Sequence, residues 1–169
     1  MTLTDDERFI RTDRMKYTKN TASSRLCYLA IALDVLFFVN IYESDRGSWY
    51  YQLLIGASII YNLLFMLFTF LASEGVKNYR QGYSVTLCVT GALQLCRVFV
   101  IPYQAMNALI KTAGGMEPVM DSAQGIRAIV WLVLSAVCLF LAAFINRRKG
   151  LALKKHNALA AALPAKEVN

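Results

Sequence analysis

The chain has 169 residues, 57% of them hydrophobic and 17% charged, whereas roughly a quarter of the residues in an average soluble domain are charged. Its apolar residues are collected into four blocks, 26–41, 49–72, 82–104 and 126–145, each near the roughly 20 residues needed to cross a bilayer. The pieces between and beyond them are too short for an independent soluble domain. This excludes a secreted mini-protein and a soluble enzyme, and the net charge of +7 has to be explained by its placement before nucleic acid is invoked.

Residues 1–25 form a basic segment containing Arg8, Arg11, Arg14, Lys16, Lys19 and Arg25. Thr4 and Glu7 have capping-box spacing, and Asp5 and Asp6 favour a helix start, so a short interfacial helix is expected over about 5–17, using Phe9, Ile10 and Met15. The first apolar block lies behind these polar residues with no small-x-small cleavage site after it, so it reads as a span rather than a signal peptide. The four spans fall at about 26–42, 49–72, 82–104 and 124–146. Tyr42, Trp49, Tyr50, Tyr51 and Tyr103 stand at the outer ends of the spans, and Tyr28, Tyr79 and Tyr83 at the inner ends, as interfacial belts require. The longest loop, Gln104–Gln124, holds Gly114-Gly115 and Pro118; a short surface helix is expected over Gln104–Thr112, and the segment Gln104–Gln124 is expected to be the most variable in conformation. After the last span, Arg147-Arg148-Lys149 supplies a stop signal and opens a basic tail, 147–169.

Fourteen of the eighteen cations lie in the two tails and the loop between the second and third spans. Only Arg46 and Lys111 lie in the other loops, and Arg97 and Arg127 lie within spans. By the positive-inside rule both termini are cytoplasmic, which an even number of spans also demands. The expected fold is all-α: a four-helix integral membrane bundle in the cell membrane, residues 26–145, between two cytoplasmic basic tails. Attraction of those tails to anionic lipid accounts for the net charge, and no nucleic-acid partner is implied.

Each span places a hydrogen-bonding group near its own midpoint: Asp34, Tyr61 with Asn62, Gln94, and Ser135. Helical spacing extends these into stripes. They are Ser58, Asn62, Thr69 and Ser73 on the second span; Thr86, Thr90, Gln94 and Arg97 on the third; and Arg127, Trp131, Ser135, Cys138 and Ala142 on the fourth. The stripes are expected to face one another, with Leu, Ile, Val and Phe turned to lipid. Asp34, Asn62, Gln94, Arg97, Arg127 and Ser135 form the candidate binding cluster. A charge at the bilayer centre costs at least about 2.5–3.5 kcal/mol, so Asp34 and Arg97 each need a reason to be there. Their axial offset of about 5 Å lies within arginine reach, and a guanidinium suits a carboxylate. Three roles are open to such a pair: a structural pin, a titrating carboxylate that couples protons to transport, or a contact with another protein's helix.

Cys27, Cys88, Cys96 and Cys138 all fall inside spans, and no Cys-x-x-Cys occurs. The outer-loop cysteine pairs of the quinone-linked disulfide-forming membrane oxidoreductases are therefore missing, and the four read as packing residues. His156, the sole histidine, cannot build a metal site with them; neither metal nor cofactor is expected. An acidic residue in the middle of the first of four spans is similar in outline to the small multidrug-resistance transporters, a likeness that implies proton-coupled transport by a homo-oligomer through Asp34. Four-span glutathione-using membrane enzymes have comparable length, and Arg97 with Arg127 would offer an anionic ligand a site in the outer half. Their cytoplasmic cofactor constellation has no counterpart here, and Glu74 at the second span's edge lacks a neighbouring His or second acid in sequence. The leading expectation is a non-catalytic binding or assembly protein, partner to another membrane chain or to itself.

Overall fold

The computed structural model describes residues 4–42, 49–112 and 114–162. In chain order it contains α1 (Asp5–Tyr17), α2 (Thr21–Tyr42), α3 (Trp49–Lys77), α4 (Gly82–Val100), α5 (Pro102–Asn107), β1 (Leu109–Thr112), β2 (Gly115–Pro118) and α6 (Ser122–Ala162). Four helical stretches are long and apolar enough to cross a membrane: Thr21–Ile41, Leu53–Lys77, Gly82–Asn107 and Ser122–Ala161. The chain is thus all-helical apart from one small hairpin, and by length and composition its helices suit a small multi-pass membrane protein. Arg46 and the loop around it lie outside the described residues, as do the side chains of Tyr42, Trp49, Tyr50 and Tyr51.

On α2 the buried positions are Ser23, Ser24, Cys27, Ala30, Leu33, Asp34, Phe37, Asn40 and Ile41. Their three-and-four spacing makes one continuous face of a 3.6-residue helix. The opposite side carries exposed Leu29, Val35, Leu36 and Val39, and the other spans repeat this with Ile60, Leu63, Val85, Phe99 and Phe144. So much exposed apolar surface is foreign to a monomeric soluble protein and natural against lipid. α6 packs along both α2 and α4, while α3 lies chiefly against α2 and meets α4 more lightly. The interior divides into two apolar clusters. One, with Cys27, Leu33, Phe65, Leu87 and Leu139, fills the half nearer the chain termini; the other, with Phe37, Ile41, Ile101, Met120 and Leu132, fills the opposite half.

Three elements depart from the sequence expectation. The basic tail does not begin at residue 147 as a separate segment, because α6 continues to Ala162. Lys, Arg, Leu and Ala are strong helix formers, and Gly150 keeps its place because a Cβ there would run into the Gln81 side chain. The helix therefore extends about 24 Å past Asn146. Secondly, the expected helix over Gln104–Thr112 occupies Pro102–Asn107 instead. Pro102 sits in its first turn, where proline's missing N–H costs nothing. Ala108 then turns extended, and residues 109–112 pair antiparallel with 115–118 around Gly115, whose φ of 132° only glycine adopts readily. Both ends of this loop are tied down: the Val119 N–H donates to the Ala108 carbonyl at 2.9 Å and the Met120 N–H to Ala105 at 3.2 Å.

Thirdly, α1 forms over the expected residues with the Thr4–Glu7 capping box complete, but where the sequence predicts a free interfacial helix it rests against the α6 extension. Phe9 lies over the His156 ring, centroids 4.4 Å apart, and Asp13 Oδ1 is 3.8 Å from His156 Nε2.

A polar cluster at mid-membrane as the candidate functional site

Asp34 enters the bundle from α2, Gln94 and Arg97 from α4, Ser58 from α3 and Ser135 from α6, and all five side chains are buried. Gln94 and Arg97 are three residues apart, so α4 presents both to the same carboxylate. Arg97 Nη1 donates to Asp34 Oδ1 at 3.1 Å and Gln94 Nε2 donates to the same oxygen at 2.9 Å. The other guanidinium nitrogen, Nη2, donates to Ser58 Oγ. Gln94 Nε2 also reaches Ser135 Oγ at 3.5 Å, and that hydroxyl donates to the Ala30 carbonyl at 3.1 Å. All four spans are therefore joined through one ion pair.

The charge is further stabilised from its faces. The Arg97 guanidinium lies 4.2 Å from the Phe37 ring centroid and 4.7 Å from that of Tyr61, within cation–π range. Removing two ions from water is costly, and only close geometry with added hydrogen bonds offsets that cost. Satisfaction is nonetheless incomplete. Asp34 Oδ2, Gln94 Oε1, Arg97 Nε, the Tyr61 hydroxyl and both amide atoms of Asn62 are buried without a hydrogen-bond partner among the described residues.

Of the six residues singled out from the sequence, four meet: Asp34, Gln94, Arg97 and Ser135. Asn62 is buried at 1% exposure but bonds none of them. Arg127 is exposed on α6, and the hydrogen bonds of Arg97 go to Asp34 and Ser58. Helical drift explains the difference. Steps of four residues rotate about 40° past a full turn, so Arg127 stands about 80° round the helix from Ser135. The same drift leaves Thr86 and Trp131 half-buried while Thr90, Cys138 and Ala142 are buried.

The sequence reading passed over two further polar tiers. At the terminal end, Asn146 Nδ2 donates to Ser84 Oγ at 2.8 Å and to the Arg80 carbonyl at 3.1 Å, Asn20 Nδ2 reaches Asn146 Oδ1 at 3.4 Å, and Ser24 and Ser73 share a 2.8 Å bond. At the opposite end, Asn40 Nδ2 donates to the Gln124 carbonyl at 3.1 Å and Gln124 Nε2 returns a bond to the Asn40 carbonyl at 2.6 Å. Of these residues only Ser73 belongs to a stripe read from the sequence. The available signal was that Asn20, Asn40 and Asn146 continue the buried faces of their own helices.

Among the described residues the side chains that bond Asp34 are Gln94 and Arg97, neither of them a nucleophile. Glu74 is held by Lys77 Nζ at 2.9 Å and the Tyr28 hydroxyl at 3.3 Å, which ties the ends of α2 and α3 together. Among the described residues no group of His, Cys, Asp and Glu could hold a metal ion. No protein-family model, curated protein or solved structure matches this chain. By length and composition the four long helices suit a small multi-pass membrane protein, and between them Asp34 and Arg97 form a buried, bonded ion pair.

Proposed function

We propose that this protein is a non-catalytic binding or assembly subunit of a membrane complex, and that α3 is the helix it offers to its partner. The observation that carries this reading is the uneven covering of the four spans. Only 22% of the apolar window of α3 is buried inside the chain, against 39–44% for the other three. On its inner face Asn62 and Thr69 are buried with polar atoms lacking hydrogen-bond partners among the described residues. Interhelical polar bonds are worth about 0.6–2 kcal/mol each, so with these left unmade α3 is the span its own neighbours hold least, and the one a second helix can most readily engage. Photo-cross-linking tests it directly. A cross-linker at Ile60 or Leu67 on α3 should capture a second membrane chain, a partner or another copy, and one at Val35 on α2 or Val133 on α6 should not. Equal capture from all faces would defeat the reading.

Transport by a homo-oligomer is the second reading, and the unpartnered Asp34 Oδ2 favours it. Against it, an arginine and a glutamine locked onto Oδ1 suit a fixed bridge rather than a carrier that must open. Asp34→Asn protein that folds and assembles normally but loses pH-linked uptake in liposomes would put transport first. An anionic ligand shared by Arg97 and Arg127 is not proposed, because Arg97 is buried and committed to Asp34 and Ser58 whereas Arg127 is exposed.

We further propose that both termini face the cytoplasm in the cell membrane, with the basic α1 and α6 extension near anionic lipid. The fourteen-to-two division of cations supports this. In a chain freed of its native cysteines, probes at positions 16 and 155 should resist an impermeant thiol reagent added outside intact cells. Labelling there would reverse the orientation.

A further inference from the structure

We propose that the cleft between α4 and α6 at the terminal end of the bundle is a binding site for one anionic phospholipid. This inference stands apart from the assembly reading, since it uses neither α3 nor the Asp34–Arg97 pair.

The cleft is a groove on the outer side of the α4–α6 contact, whose inner side is closed by buried Leu87, Leu139 and Ala143, and two contacts mark its ends. At the inner level Gly91 lets α6 approach; a Cβ there would stand 3.1 Å from the Phe140 ring. At the terminal level Asn146 bonds Ser84, and Gln81 Nε2 reaches the Asn146 carbonyl at 3.4 Å. Between these contacts lies a cavity of about 510 Å³. Its walls are Val85, Cys88, Phe140 and Phe144, and Gln81 and Arg147 stand at its mouth. Val85 and Phe144 are more than 60% exposed, so the apolar wall is open sideways, where an acyl chain would lie. Arg147 is three residues past Phe144, about 4.5 Å further along the axis, which puts a cation just above that wall.

The mouth is positive and carries no acidic side chain among the lining residues. The Arg80 carbonyl accepts from Asn146 Nδ2 at 3.1 Å, which places the Arg80 backbone at the same end of the cleft as Arg147 although 66 positions separate Arg80 from Asn146 in sequence. Arg80, Arg147 and Arg148 are all exposed. α4 also begins here, at Gly82, with no side-chain cap, and its free N–H groups add to the positive field. Apolar walls open to the side, with Arg147 at the mouth and exposed Arg80 at the same end of the cleft, match an anionic phospholipid in both shape and charge, and basic pockets between spans recognise such head groups.

Native mass spectrometry of the full chain tests the site, after exchange into mixed micelles with equal phosphatidylglycerol and phosphatidylcholine. The wild type should retain one phosphatidylglycerol in preference to phosphatidylcholine by about tenfold or more, a size that two surface arginines supply. Arg80→Gln with Arg147→Gln should bring the two lipids to parity. Lys154→Gln with Lys155→Gln removes the same charge from the α6 extension and should leave the preference intact. Cys88→Trp, which fills the cleft, should abolish retention of either lipid, and unchanged melting temperatures would show that the variants are folded. An unaltered preference in the arginine double variant would overturn the proposal, as would equal loss in the lysine double variant. Retention of phosphatidylcholine alone, or displacement of the lipid by an acidic peptide at micromolar concentration, would overturn it too.

Discussion

α6 and α3 are both long apolar helices, yet they stand in the bundle differently. α6 is covered by α2 along one side and α4 along the other, and its small buried residues Ala128, Ser135, Ala136, Ala142 and Ala143 let both neighbours close in. α3 leans mainly on α2, and its inner stripe is only partly bonded: Ser58 and Ser73 have partners, whereas the polar atoms of Asn62 and Thr69 have none among the described residues. The lesson concerns what holds a membrane bundle together. Lipid is as apolar as leucine, so hydrophobicity alone gives no preference for helix over lipid, and packing with small residues and polar bonds decides. By that measure α2, α4 and α6 form the fixed frame, and α3 is the helix most open to being re-partnered.

The sharpest way to break this contrast is through Arg97, whose guanidinium ties the frame to α3 by bonding Asp34 and Ser58 together. Removing either member of the ion pair strands the other charge in the bilayer, at a cost of about 3–5 kcal/mol by analogy with buried pairs elsewhere. Asp34→Asn and Arg97→Gln should each lower the midpoint of unfolding in detergent, and the double variant should recover part of the loss. Strictly additive losses would show that the bridge does not hold the bundle.

Two glycines give the next comparison, with opposite expected signs. Gly91 on α4 faces Phe140 of α6 with no room for a larger residue, and Gly91→Val should destabilise by about 1–3 kcal/mol through overpacking. Gly56 on α3 has nothing within 4 Å of where its Cβ would stand. Gly56→Ala should therefore stabilise the isolated chain by about 0.5–1 kcal/mol, the ordinary cost of glycine inside a helix. Thermal unfolding of the two variants side by side is the check, and a destabilised Gly56→Ala would mean that α3 packs more tightly than this contrast allows.

How much of this was legible in the sequence depended on what each signal measured. Block length and apolar content located the four spans, since bilayer thickness sets a length that composition reveals directly. The ion pair was legible because two charges at similar depth in hydrocarbon have few other places to go, and depth can be counted from the span ends. Angular position was read less well. Arg127 shared its stripe by spacing, but rows of four residues drift round a helix, and the drift put it outside. The continuation of α6 past Arg147 was missed because a basic run reports where the membrane ends and says nothing of where the helix does. The hairpin of residues 109–118 was missed for a related reason: Ala108 and Leu109 carry no turn signal, and Gly115 became informative only with its φ known.

Asn62 supplies the smallest expected effect and the finest test. Both of its amide atoms are buried without partners among the described residues, so replacing it with leucine deletes no hydrogen bond inside the chain. A buried amide exchanged for an apolar group of similar size is expected to be nearly neutral or slightly stabilising, so Asn62→Leu should move the unfolding midpoint of the isolated chain very little. In the membrane the outcome should differ. If α3 turns to present Asn62 to a second helix when it is re-partnered, Asn62→Leu should weaken cross-linking from Ile60 and Leu67 while the fold survives. A variant equally stable and equally cross-linked would leave α3 as a peripheral helix with no polar contact to offer. The recognition would then have to come from its outer apolar face alone, where Ile60, Leu63, Leu64 and Leu67 are all exposed.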